Sequence, residues 1–287
     1  MKLLLLGKTG QIGWELQRTL QPLGEVVALD YPEVNVADAA SICKAVQECH
    51  PGVIVNATAY TAVDKAESEP ELAEAINGFG PGVLAEEARK LDAVLVHYST
   101  DYIFDGTKGT PYEEADLPNP ISLYGESKLN GEKAIQSVNG NYLIFRTAWV
   151  YSLRRDSFVS RVLGWARKNE VMRVVDDQVS NPTWARMLAE VTAQILARGN
   201  GCLRERIGLS HLAGGGHASR YTWAQEILKL DPRKQEQRVK QVLPALTSDF
   251  PTPAQRPLFS ALECRKFEQT FDLRLPAWDT VLGLALE

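Results

Sequence analysis

Residues 2–20 read KLLLLGKTGQIGWELQRTL. Lys2–Leu6 is an apolar run of strand length, Gly7-Lys8-Thr9-Gly10-Gln11-Ile12-Gly13 is G-x-x-G-x-x-G, and Gly13–Leu20 reads as a helix. A backbone that turns this sharply from strand to helix needs glycine. It then meets a pyrophosphate with no Cβ in between, and the helix N-terminus offers the phosphates its free N–H groups. Alone, the glycines would read equally well as a structural turn; the strand before them and the helix after them favour a dinucleotide-binding turn. Gly7, Thr9, Gly10, Gln11, Ile12 and Gly13 are therefore candidate cofactor-binding residues. Asp30 ends the next strand, 17 residues after Gly13, where an acid takes the ribose 2′-OH of NAD. A 2′-phosphate needs a cation there instead, for which Lys8 and Arg18 are candidates. NADPH and NADH both stay open on these residues, and Asp30 also reads as a strand-end turn residue.

Outward from this turn, strands and helices alternate. Val26–Leu29, Val53–Val55, Val94–Tyr98 and Tyr142–Arg146 read as strands. Ala37–Glu48 and Leu123–Gln136 read as helices, and Pro70–Leu91 as helical stretches broken by Gly78, Gly80, Pro81 and Gly82. Short apolar runs with helices between them predict a parallel sheet covered on both faces, an α/β Rossmann-type doubly wound fold. Beyond residue 147 the pattern loosens. Phe158–Lys168, Trp184–Ala197 and Tyr221–Leu230 read as helices, Gly214-Gly215-Gly216 as a loop, and proline-rich Thr247–Pro257 as irregular. The expected organisation is a dinucleotide-binding domain over 1–147, with return segments near 185–225 and 257–280. Residues 148–287 form mainly a smaller C-terminal α/β substrate-binding lobe.

The 287 residues are 45% hydrophobic and 23% charged, ordinary globular material. The net charge of −5 conceals a division: 10 Lys+Arg against 21 Asp+Glu in residues 1–145, and 21 against 15 in 146–287. Either an anionic ligand meets the second half or surface charge is simply uneven. Leu3–Leu6 is too short for a signal-peptide core and no apolar run has membrane-spanning length, so a cytoplasmic protein with no membrane partner is expected. Cys43, Cys49, Cys202 and Cys264 form no C-x-x-C and do not interleave with histidines at zinc spacing, so no metal site is expected. No basic stripe with interleaved aromatics suggests nucleic acid.

Tyr124 and Lys128 stand at i and i+4 in YGESK, on one face of a helix. A phenol, with pKa about 10, is a poor acid-base group at neutral pH, and a neighbouring ammonium lowers that value. Upstream, the strand Val94–Tyr98 delivers Ser99-Thr100-Asp101, whose Thr100 hydroxyl at a sheet's carboxyl end can bond a substrate oxygen. Ser99 is assigned to packing or to hydrogen bonding of the loop. Y-x-x-x-K is common by chance; combined with the glycine turn and a strand-end Thr it is specific.

In this combination the chain resembles the extended short-chain dehydrogenase/reductases, and among them the dTDP-4-dehydrorhamnose reductase family. The resemblance is carried by GKTGQIGWELQRTL (7–20), VIVNATAYTAVDKAESEP (53–70), HYSTDYIFDG (97–106), YGESKLNGEK (124–133), IFRTAWVY (144–151) and TPAQRPLFSAL (252–262). It implies reduction of the C4 ketone of dTDP-4-dehydro-L-rhamnose by NADPH, with NADH as the alternative. Tyr124 would be the proton donor, Lys128 the ribose ligand that tunes it, and Thr100 the holder of the ketone oxygen. Thr61, Val63, Asp101, Tyr102 and Trp149 match sugar-pocket positions. Asn56, Ala57 and Ala59 match the cofactor loop after the third strand. Arg256 matches a cation that meets the diphosphate. Trp149 reads equally as core, and Arg256 as a solvated arginine.

Two departures stand out. Asn35-Val36 occupies the adenine-side position where relatives often carry Asp and an apolar residue. Some relatives bind Mg²⁺ through glutamates at a dimer interface; Glu15 is retained, but Arg186 stands where a second acid is expected. That argues against a Mg²⁺ site and leaves monomer and homodimer open. Two other readings compete with the reductase. A sugar-nucleotide dehydratase or epimerase is one, but Tyr102 follows Asp101 where a dehydratase needs a carboxylate base. A non-catalytic binding protein is the other, though such a protein is expected to lose Tyr124 or Lys128.

Overall fold

The computed structural model describes residues 1–287. Its core is a six-stranded parallel sheet built from β1 (Lys2–Leu6), β2 (Glu25–Leu29), β3 (Val53–Asn56), β4 (Val94–Thr100) and β5 (Asn141–Thr147), completed by Gly208–His211 at one edge. The strands lie side by side in the order Gly208–His211, β5, β4, β3, β1, β2. The chain reverses direction of growth between β1 and β3, and a ligand crevice forms outside the carboxyl ends of strands at such a point.

The leucine run shows why this sheet forms. Successive strand residues face opposite sides. Leu3 and Leu5 enter one core with Leu16, Leu188 and Ile195, while Leu4 and Leu6 enter the other with Ile42, Val46 and Leu84. All four leucines are buried, each contributing about 1.5–3 kcal/mol relative to exposure. The first core holds α1 (Gln11–Thr19) against the sheet, and the second holds α2 (Ala39–Cys49). Asp38 caps α2 by accepting a hydrogen bond from Ala40 N at 3.0 Å.

The largest difference from the expected elements lies at 70–90. The glycines there do not break the helix. Pro70–Glu74 runs through a π-helical turn, Ala75–Phe79, into α3 (Gly80–Lys90). At Gly80 a Cβ would lie 2.4 Å from the Val36 carbonyl oxygen, so glycine serves close backbone approach. The π turn presents buried Asn77, whose side chain accepts from Tyr60 N at 2.9 Å and donates to Tyr60 O at 3.1 Å. It thereby clamps the loop that follows β3, and π turns often sit at functional sites for this kind of reason.

α4 (Leu123–Ser137) packs beside α3 and carries Tyr124 and Lys128. Ser122 caps it, accepting from Gly125 N at 3.2 Å. Several later segments return to the first core: α6 (Ala185–Leu196) against α1, and Phe267 and Phe271 of the helix Arg265–Phe271. A separate core gathers α5 (Phe158–Ala166), α7 (Arg220–Leu230) and Trp278–Leu286 around Trp223. It is edged by the parallel strand pair Val171–Val175 and Gln241–Ala245. Gly208–His211 and this strand pair are absent from the expected elements. No helix is long and apolar enough to cross a membrane.

Candidate active site

Three adjoining cavities of about 430, 550 and 730 Å³ form one cleft across the carboxyl ends of the strands. The smallest is lined by Gly7, Thr9, Gly10, Asp30, Asn35, Val36, Ala57 and Ala59 among others. The middle one is lined by Gln11, Ile12, Thr100, Tyr124, Lys128 and Trp149, with Ser99 and Thr147 in its floor. The largest opens beside the separate core around Trp223. Thr61, Val63 and Tyr102 line both of the larger cavities.

The glycine turn is built for close approach. Gly7 has φ +85°, and a Cβ on it would lie 2.8 Å from the Ala57 carbonyl. Gly13 does not line the cleft. It is buried, and a Cβ there would lie 2.0 Å from Gly7 O, so its role is to let α1 pack on the turn. Gly13→Ala is expected to destabilise the chain by about 1–3 kcal/mol through overpacking and to abolish tight NADPH binding. Denaturant melts and quenching of NADPH fluorescence check both.

Asp30 does not stand free at the cleft. Its carboxylate accepts from Thr9 N at 2.9 Å, Thr9 Oγ1 at 2.6 Å and Tyr31 N at 2.8 Å. Burial raises its pKa, but these bonds and the Lys8 charge outweigh that and hold it below the usual value. Lys8 is paired with Glu33, and Arg18 donates to Trp14 O at 2.7 Å. Neither candidate cation lines the cleft. Exposed Arg155, which lines both smaller cavities, is the cation that faces this part of the cleft. Asn35 Oδ1 accepts from Ala37 N at 3.1 Å within its own turn. Asn56 is buried behind the cavities and bonds to Thr58 and His97 rather than lining them.

The residues fit a dinucleotide. Besides the cradle at Gly7, three buried polar atoms at the cleft have no hydrogen-bond partner in the chain: Gln11 Oε1, Ser99 Oγ and Thr147 Oγ1. Buried polar groups are nearly always satisfied, so these orphans await ligand or water. Of the two expectations for Ser99, hydrogen bonding of the loop is corrected, since its hydroxyl bonds nothing, while the side chain is buried as packing requires.

Thr100, Tyr124 and Lys128 converge in the middle cavity. Tyr124 lies edge-on to Tyr102, with ring centres 5.7 Å apart. Burial raises its pKa, partly offset by a hydrogen bond with Thr100. The expected lowering by Lys128 is not seen. Lys128 Nζ instead donates to Tyr98 O at 2.7 Å and lies 3.2 Å from His97 Nε2. Burial lowers the Lys128 pKa to about 8. Asp101 lines the same cavity; its Oδ1 accepts from Thr100 Oγ1 at 3.2 Å, while its Oδ2 accepts from Ser180 Oγ at 2.9 Å and Ser260 Oγ at 2.5 Å. It ties the end of β4 to two segments of the second half.

Trp149 meets both of its expected readings. It lines the middle cavity and stacks on Trp223, centres 5.6 Å apart. Its φ of +40° is costly for a bulky residue. Arg256 reaches the largest cavity but is held by Asp64 through bonds of 3.0 and 2.8 Å. Four arginines, Arg161, Arg173, Arg220 and Arg256, line that cavity against one acid, Asp64. Arg161 and Arg173 pair with Asp156 and Asp249, while Arg220 makes no salt bridge. Its guanidinium lies over the Trp149 ring at 3.6 Å and the Phe158 ring at 4.9 Å. Burial lowers its pKa to about 10, so it stays charged at neutral pH. Sequence reading missed Arg220; its one local signal is the helix start marked by Ser219, which caps α7.

A family model described as "RmlD substrate binding domain" matches residues 1–287. The dTDP-4-dehydrorhamnose reductase of Burkholderia thailandensis is 40% identical, with 100% of this chain and 98% of that protein covered. The chain belongs to the dTDP-4-dehydrorhamnose reductase family. The Salmonella typhimurium member is 41% identical over 97% of this chain and 95% of its own length. The Clostridium acetobutylicum structure superposes with a TM-score of 0.91 at 35% identity, covering 100% of this chain and 98% of that one. A Bacillus anthracis family structure solved in complex with NADP gives 0.90 at 31%, covering 99% and 98%. A Thermus thermophilus UDP-glucose 4-epimerase, covering 100% and 98%, is 20% identical with a TM-score of 0.82 and shares the fold. As a member of this reductase family the chain is an oxidoreductase. Glu15 and Arg186, the two residues weighed for a metal site, are paired with each other at 3.3 Å.

Proposed function

We propose that this protein reduces the C4 ketone of dTDP-4-dehydro-L-rhamnose to dTDP-L-rhamnose with NADPH, NADH being the alternative. The observation that carries the reading is the cleft itself: a dinucleotide cradle, a Thr–Tyr–Lys cluster and an arginine-lined cavity in one line. A nicotinamide cofactor supplies the hydride when bound. Thr100 and Tyr124 hold the ketone oxygen, and Tyr124 gives it a proton. Tyr124 carries its proton at neutral pH, as a donor must, although burial makes it a weaker acid than a free phenol. Lys128 anchors the nicotinamide ribose. Arg220 and Arg256 receive the diphosphate, and Phe158 and Trp165 offer aromatic faces to the base. We assign residues 1–147, with the return segments near 185–225 and 257–280, to the cofactor and most of 148–287 to the nucleotide sugar. The protein acts in the cytoplasm, as a monomer or homodimer without Mg²⁺. Incubation with dTDP-4-dehydro-L-rhamnose and each reduced cofactor tests the reading: nicotinamide absorbance should fall. No oxidation with either cofactor would sink it.

A further inference from the structure

Behind Lys128 lies a buried hydrogen-bond chain that runs Thr58, Asn56, His97, Lys128. Its direction is fixed at one end. Thr58 N donates to Asn56 Oδ1 at 3.1 Å, and Thr58 Oγ1 donates to the same oxygen at 2.6 Å. A backbone N–H cannot accept, so the Asn56 amide is held with Oδ1 toward Thr58. Its NH₂ then faces His97 Nδ1 at 3.1 Å. That NH₂ only donates, so Nδ1 is the acceptor and the neutral ring carries its proton on Nε2. Nε2 lies 3.2 Å from Lys128 Nζ. An ammonium there meets another donor. An amine there accepts the Nε2–H with its lone pair and still donates to Tyr98 O.

We propose that His97 is a positioning residue for the reaction: held in one tautomer by Asn56 and Thr58, it presents an N–H to Lys128 and sets the pH at which that lysine releases its proton. The proposal rests on the role assigned to Lys128 above. The surroundings agree. His97 is fully buried, and burial followed by the Lys128 charge pushes its pKa well down, so the ring stays neutral. On α4, Glu132 is the charge that favours the Lys128 ammonium, but it is bound through 2.9 and 2.7 Å bonds to Arg146 of β5. Tyr124 on the same helix is held neutral by its raised pKa, and the Asp101 carboxylate is turned to Ser180 and Ser260. The Ala75–Phe79 turn brings Asn77, which does not titrate, to Ser127.

Nitrogen-15 histidine spectra of the wild-type chain test the geometry without turnover. His97 is assigned by subtracting His50→Gln, His211→Gln and His217→Gln. The expected result is a neutral ring protonated on Nε2 from about pH 5 to 9, far outside the ordinary histidine titration. A proton on Nδ1, or titration inside that range, would overturn the proposal. The consequence is read from kcat/KM for the nucleotide sugar at saturating NADPH. Wild-type activity should fall as pH rises through the Lys128 pKa. His97→Gln offers the lysine a carbonyl oxygen and should move that limb upward by about one pH unit. A folded variant whose limb does not move contradicts the proposal. An inactive wild type with the Nε2–H tautomer would instead count against the reductase reading.

Discussion

Tyr124→Phe is expected to lower kcat by about 100-fold or more, the usual worth of a positioned general acid. The ring is retained, so its edge-on contact with Tyr102 survives and the cleft keeps its shape. NADPH affinity should therefore stay within a few-fold of the parent. The hydroxyl that pairs with Thr100 is lost, and the hydroxyls of Thr100 and Ser99 that remain beside the site are far weaker acids than a phenol. Lys128 is committed to Tyr98 O and His97, and Asp101 is turned toward Ser180 and Ser260. Stopped-flow single turnover separates the chemical step from product release. An unchanged single-turnover rate would remove Tyr124 as the acid.

Arg220→Met is expected to raise KM for the nucleotide sugar by about 10- to 100-fold with a smaller change in kcat. Charge-assisted hydrogen bonds are worth about 1.5–3 kcal/mol, which corresponds to that range. Methionine keeps an apolar stem for the Trp149 and Phe158 rings, so the variant isolates the charge. Arg256→Ala should do less, because Asp64 already neutralises Arg256 in the free protein. Steady-state kinetics on both variants checks the ranking. Equal KM values for Arg220→Met and the parent would place the diphosphate elsewhere.

The fold was legible where sequence pattern and burial coincide. The Leu3–Leu6 run, buried on both faces, is strand-like for the reason parallel strands always are. The glycine turn and the Tyr124–Lys128 spacing are local, and local geometry is what a sequence displays. Gly208–His211 was hidden because a four-residue strand beginning at glycine becomes a strand only by pairing with β5. The helix at 70–90 was misread because its glycines answer to distant backbone, Val36 O in the case of Gly80.

Site residues divide in the same way. Tyr124 and Thr100 stand where the motifs put them. Gly13 and Asn56 belong to those motifs yet sit behind the cleft, supporting α1 and His97. Arg220 had no motif to mark it, since its cavity is assembled from Val63, Phe158, the Val171–Val175 strand and Arg256, far apart in the chain. The charge division did carry information. All four arginines of the largest cavity come from residues 146–287, where the net charge is positive.

The central claim is that hydride arrives at C4 of the sugar with no return to the cofactor. Reaction of dTDP-4-dehydro-L-rhamnose with NADPH deuterated at the nicotinamide C4 tests it most directly. Proton and deuterium NMR of the product should show one deuterium, at sugar C4, in stoichiometric amount with NADP formed. Deuterium at another carbon, or a sugar changed in configuration with no net cofactor oxidation, would contradict it.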